Sequence, residues 1–141
     1  MQLRFVASRR IVSLATLLAT LTLTGPVGAD ARVSYILHCG GCHLLDGSGT
    51  PPEVPGLRDL GKLMNVPGGR AYLVRVPGAS QAPIEDDELT VIVNYILHEF
   101  NADTLPASFQ GLTEQEVSQA RGNTLEDPLK YREMLWQQLD Y

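Results

Sequence analysis

The most regular hydrophobic pattern in the chain lies over residues 84–100. Leu89, Ile92, Val93, Ile96 and Phe100 recur at spacings of three and four, which places them on one stripe of a helix. Glu85, Asp86, Asp87 and Glu88 load its first turn with negative charge, which the positive end of the helix dipole favours. Asn101 and Pro106 mark its end. A shorter helix is predicted over 30–39, with Asp30 near its start and Val33, Ile36 and Leu37 on its inner side. From 44 to 83 the chain is punctuated by Gly and Pro, which leaves room only for short helical turns, one of them over 57–64. Residues 71–76 are β-branched enough to read either as a strand or as a helical turn. Further on, Thr113-Glu114-Gln115-Glu116 has the reciprocal pattern of a capping box that opens a short helix, and 127–139 reads as another. The expected fold class is mostly α, built of short helices and Gly/Pro-rich loops.

Residues 1–29 follow a different pattern. Arg4, Arg9 and Arg10 precede an apolar stretch over 11–23, Gly25 and Pro26 break it, and Val27-Gly28-Ala29 offers small residues for cleavage. This is the pattern of an export signal peptide, and the expected location is periplasmic. The apolar stretch has 13 residues, short of the roughly 20 that a membrane span needs. Membrane attachment is therefore expected only if the signal stays uncleaved. Removing it from the 141 residues leaves 112, with 8 basic side chains against 16 acidic ones and a net charge near −8. Such a surface repels nucleic acid and anionic membranes, and favours partners with a basic docking face.

The two cysteines carry the chemistry. A cysteine pair in an exported protein is by default a disulfide, but here a histidine follows directly, in the run Cys39-Gly40-Gly41-Cys42-His43. Cys-x-x-Cys-His is the signature of covalent c-type haem attachment. Each sulfur adds across a vinyl group to give a thioether, and the two-residue spacing matches the distance between the vinyls. Gly40 and Gly41 take the turn at little steric cost. His43 is then placed to bind the iron through a neutral imidazole nitrogen. One haem at the centre would also supply apolar mass that a small, loop-rich chain otherwise lacks.

Three further features join the motif. Tyr35 stands four residues before Cys39, Ile92 and Tyr95 lie three apart on the long helix, and Pro55 follows His43 by twelve residues with Leu57 just beyond. With these, the chain resembles the class I cytochromes c over most of 30–100. The resemblance implies a cytochrome c-like fold in which two helices cross beside the edge of one covalently bound haem. It implies that the Pro55 carbonyl accepts the imidazole N–H of His43 and that Leu57 packs on the haem. Such an outer bond fixes the ring and raises its basicity. It also divides the chain into a signal peptide over 1–29, a haem domain over 30–100 and a helical C-terminal extension over 101–141.

On the other side of the iron the sequence departs from the family. The resemblance places a methionine a few residues before the acidic start of the last helix, and residues 77–83 contain none. After residue 29 the methionines are Met64 and Met134. Met64, just before the Pro67-Gly68-Gly69 turn, is the expected second iron ligand. Three alternatives stay open: Met64 as a pocket filler, coordination by His98 or His38, and an iron without a sixth protein ligand. Met134, among Leu129, Leu135 and Leu139, reads as packing. Arg58, Arg70 and Arg75 are candidates to neutralise a haem propionate, Arg70 first among them.

The resemblance implies an electron-transfer protein rather than an enzyme. It would be a soluble periplasmic carrier, or the small electron-accepting subunit of a dehydrogenase, working with redox protein partners. The alternative is a haem enzyme or gas-binding sensor with an open iron site, although no distal acid–base histidine stands out for peroxidase chemistry. Trp136 with Leu129, Leu135 and Leu139 gives the extension an apolar side, expected to pack back on the haem domain or to dock a redox partner.

Overall fold

In the computed structural model, which describes residues 30–139, the first helix is α1 (Ala31–His38). Asp30 caps it, its side chain accepting from the Arg32 N–H. There follow α2 (Gly40–His43), a 3-10 turn (Leu60–Asn65), α3 (Gly69–Arg75), α4 (Pro77–Ser80), α5 (Asp86–Asn101), α6 (Glu114–Arg121) and α7 (Pro128–Gln137). The described residues are mostly α and contain no strand, only an isolated bridge between Thr50 and Val54. The expected signal segment lies outside the described residues. No helix among the described residues is long and apolar enough to cross a membrane.

The long helix α5 is the spine of the core. Leu89, Ile92, Val93 and Ile96 of the predicted stripe are buried, joined by Leu97, while Phe100 is half-buried. Its partner α1 is rotated from expectation. Val33 and Leu37 are 47% and 72% exposed, while Ser34 and Tyr35 are buried. Polar contacts and aromatic packing across the helix pair decide this phase: the Ser34 hydroxyl donates to Glu88, and the Tyr35 ring packs against Tyr95 and Phe100. A helix this short has too few apolar positions to set its own rotation.

Residues 71–76 are helical in their greater part, in α3, and the reason lies just upstream. Gly68 takes φ 86°, a left-handed conformation that favours glycine. At Gly69 a Cβ would stand 1.9 Å from the Leu63 carbonyl oxygen, so α3 rests directly on the 3-10 turn. Tyr72, Leu73 and Val74 then face the core.

The extension packs on this frame. The capping box at Thr113 is complete, with the Thr113 side chain bonded to the Glu116 N–H and the Glu116 side chain to the Thr113 N–H. Asn94 on α5 and the backbone of Leu112 exchange two hydrogen bonds, of 2.9 and 2.8 Å. Arg121 at the end of α6 bolts the chain over 80–86. Its guanidinium donates to the carbonyls of Ser80, Ala82 and Ile84 and to the Asp86 carboxylate. On α7, Leu135 is fully buried and Tyr131 stacks on Tyr72 with ring centres 6.1 Å apart. Met134, expected to pack, is instead 45% exposed, and Leu129 and Leu139 are also exposed. Only one face of α7 meets the body, and Leu135 with Trp136 occupies it.

Candidate functional site

The Cys39-to-His43 motif forms a tight corner between α1 and α2. The Cys39 N–H closes α1 on the Tyr35 carbonyl, and the Cys42 and His43 N–H groups both donate to the Cys39 carbonyl. Tyr35 locks the corner from beneath: its hydroxyl donates to the Leu44 carbonyl at 2.5 Å and approaches that of His43 at 3.3 Å. Burial pushes the Tyr35 pKa up to about 12, helped by Cys39, Tyr95 and Asp46, so the hydroxyl stays a neutral donor. Leu44 adopts φ 52°, uncommon for a bulky residue, and the Tyr35 bond holds it there.

Both cysteines are free thiols, Cys39 half-buried and Cys42 exposed. Burial, and to a lesser degree Cys42, pushes the Cys39 thiol up to about 11. Cys39 is therefore protonated at neutral pH, a poor metal ligand on its own. Among the described residues no three His, Cys, Asp or Glu side chains converge to hold a bare metal ion.

His43 is oriented from the inside. Its Nδ1 is buried and has no hydrogen-bond partner, alone in this among the buried side-chain nitrogens and oxygens of the described residues. The Pro55 carbonyl approaches the ring as an acceptor. Burial pushes the imidazole pKa down, the Pro55 carbonyl opposes this, and the charge of Arg132 pushes it further down. The ring is therefore neutral at pH 7, with a lone pair available for coordination.

Residues 55–57, whose Pro55 carbonyl approaches His43, are pinned at Leu57 through both its backbone groups. The Leu57 N–H donates to the Gly47 carbonyl at 2.7 Å, and the Leu57 carbonyl accepts from Asn101 Nδ2 at 2.9 Å. Asn101 is fully buried, also donates to the Ile96 carbonyl, and accepts from the Gly61 N–H. At Gly56 the carbonyl accepts from Arg132 Nη2 at 3.2 Å. Sequence reasoning missed both residues. Asn101 looks like a helix terminator, and Arg132 lies 76 positions from the group it binds.

The structure thus brings Cys39, Cys42, His43, Pro55 and Leu57 into one neighbourhood, and it puts the remaining candidates elsewhere. Met64 is buried and lines a cavity of about 750 Å³ with Val66, Arg70, Arg75, Leu112 and Glu116; no residue of the motif lines it. His98 is exposed and meets Phe109 edge-on. His38 lies 3.6 Å from Glu88. Arg58 pairs with Asp46 in solvent.

Arg70, the first choice for a propionate partner, is committed to the extension. It grips both Glu116 oxygens at 2.8 and 2.9 Å and donates to the carbonyls of Gln110 and Gly111. Arg70 first, and Thr113 after it, hold the Glu116 carboxyl down to about 2 against a usual 4.5. A folded-state pKa below the unfolded one stabilises the fold above pH 4.5 and loses that contribution as pH falls towards 2. The Glu116 side chain is 42% exposed, so solvent screening keeps the effect small. In urea titrations across this window, wild type is expected to lose more stability than Glu116→Gln, with the two converging at the acid end.

Compared with models of protein families, with characterised proteins and with solved structures, the chain finds no match.

Proposed function

We propose that this chain is a c-type cytochrome with a cytochrome c-like fold, moving single electrons through one haem attached at Cys39 and Cys42. The observation that carries the reading is the Cys-x-x-Cys-His run with its histidine turned inward. Nδ1 is buried and the Pro55 carbonyl lies beside the ring, which would leave Nε2 as the nitrogen for iron. The bound haem would supply a one-electron iron couple. The protein's own groups do the rest. Cys39 and Cys42 anchor, His43 ligates as a neutral imidazole, and Tyr35 keeps the corner from opening. Leu44 and Leu45, 42% and 62% exposed beside the motif, are apolar surface of the kind a porphyrin covers.

Export directed by residues 1–29 would take the chain to the periplasm, and its acidic surface suits redox protein partners with basic faces. The test is the protein exported in a host that matures c-type haem. Expected are one haem per chain surviving denaturing electrophoresis, a matching mass increment and a reversible one-electron couple. A chain recovered without covalent haem overturns the reading.

One observation favours a second reading. Met64 lines a cavity that no residue of the motif lines, His98 meets Phe109, and His38 lies beside Glu88. An iron open to small exogenous ligands, as in a gas sensor or haem enzyme, is the alternative. Carbon monoxide added to the reduced protein separates the two. An unchanged spectrum supports the closed carrier, and an immediate shift supports the open site.

A further inference from the structure

We infer that Arg132, on the C-terminal helix α7, is a positioning residue for the His43 site: it docks on the 55–57 segment and sets a fixed positive charge there that raises the reduction potential. This deepens the haem reading and rests on it. The geometry is specific. Arg132 Nη2 donates to the Gly56 carbonyl at 3.2 Å, and its guanidinium stacks over Trp136 at 5.6 Å from the ring centre. Gly56 directly follows Pro55, whose carbonyl approaches the His43 ring. One side chain of the extension therefore holds the backbone that orients the ligand.

Its charge also has no carboxylate partner among the described residues, whereas Arg58, Arg70 and Arg121 each have one within 4.0 Å. The hydrogen bond to the Gly56 carbonyl fixes the guanidinium beside the 55–57 segment, where its charge would act on iron held by His43. Oxidised iron carries one more positive charge than reduced iron, so a nearby unpaired cation favours the reduced state. Arg132 is half-buried, so salt screens this interaction less than it would on an open surface. Without knowledge of the chain path, α7 reads as a packing helix. The structure makes it part of the site.

Two variants separate charge from scaffold. Arg132→Gln keeps a donor for the Gly56 carbonyl and removes the charge; Arg132→Lys keeps the charge and loses the planar fork. Potentiometric titration of the haem-loaded proteins is expected to give a more negative midpoint for Arg132→Gln and a midpoint near wild type for Arg132→Lys. Hydrogen exchange at the Leu57 and Arg58 amides is expected to rise less in Arg132→Gln than in Arg132→Leu, which has no donor. A Gln midpoint equal to wild type, or equal shifts in the Gln and Lys variants, overturns the electrostatic role while leaving the cytochrome reading intact. A wild-type chain that carries no covalent haem overturns both.

Discussion

The Cys39→Ala, Cys42→Ala double variant is expected to retain no haem after denaturation. In the proposed cytochrome the thioether bonds would survive unfolding, whereas a His43–iron bond would depend on the folded corner. Each single variant would keep one thioether and one unreacted vinyl group, so its reduced spectrum is expected to shift to longer wavelength. Cys42→Ala is the cleaner of the two. Cys42 is exposed, and its contribution to the corner is a backbone N–H bonded to the Cys39 carbonyl, which alanine retains. Cys39 packs against the core, and its loss also leaves a small void. Haem staining of denaturing gels with absorption spectra of the reduced proteins reads all three variants. A stained band in the double variant would sink the assignment of the thioethers to these sulfurs.

Asn101→Leu is expected to cost about 3 kcal/mol of stability, out of the roughly 5–15 typical of a domain. Leucine is nearly the same size, so the loss comes from hydrogen bonding rather than volume. The Gly61 N–H and the Leu57 carbonyl would both lose the partner that Asn101 supplies in the interior. Urea unfolding should show a lower midpoint with an unchanged slope. Loosening of the Leu57 end of the 55–57 segment should accompany it, seen as faster amide exchange there. A loss below about 1 kcal/mol would mean that water replaces these bonds without penalty.

Arg70 and Met64 illustrate where a residue-by-residue reading stops. They flank a Pro-Gly-Gly corner that has the local features of a site: a methionine on one side and a cation on the other. Nothing within ten residues of Arg70 announces that Glu116 will accept both its N–H groups, because that pairing depends on α6 folding back across α3. Once it does, the guanidinium has four hydrogen bonds and little left to offer another anion. Met64 follows the same logic, since the turn that exposes it to the α3–α6 cavity is the turn that Gly69 seats against Leu63.

By itself the sequence determined those features whose physics is local. The proposed attachment motif is legible in five consecutive residues, because the spacing of two sulfurs and the reach of one imidazole are properties of that short stretch. Helix α5 and the Thr113 capping box were equally legible, because their hydrogen bonds and their apolar stripe repeat within one or two turns. Tertiary structure alone decided the rotation of α1, the partner of Arg70, the burial of Asn101 and the approach of Arg132 to Gly56. Each of these depends on chain segments 40 to 76 residues apart meeting at hydrogen-bond distance. No local preference encodes such a meeting. It follows from the way α3, α5, α6 and α7 share one core, and that sharing joins the C-terminal extension to the His43 site.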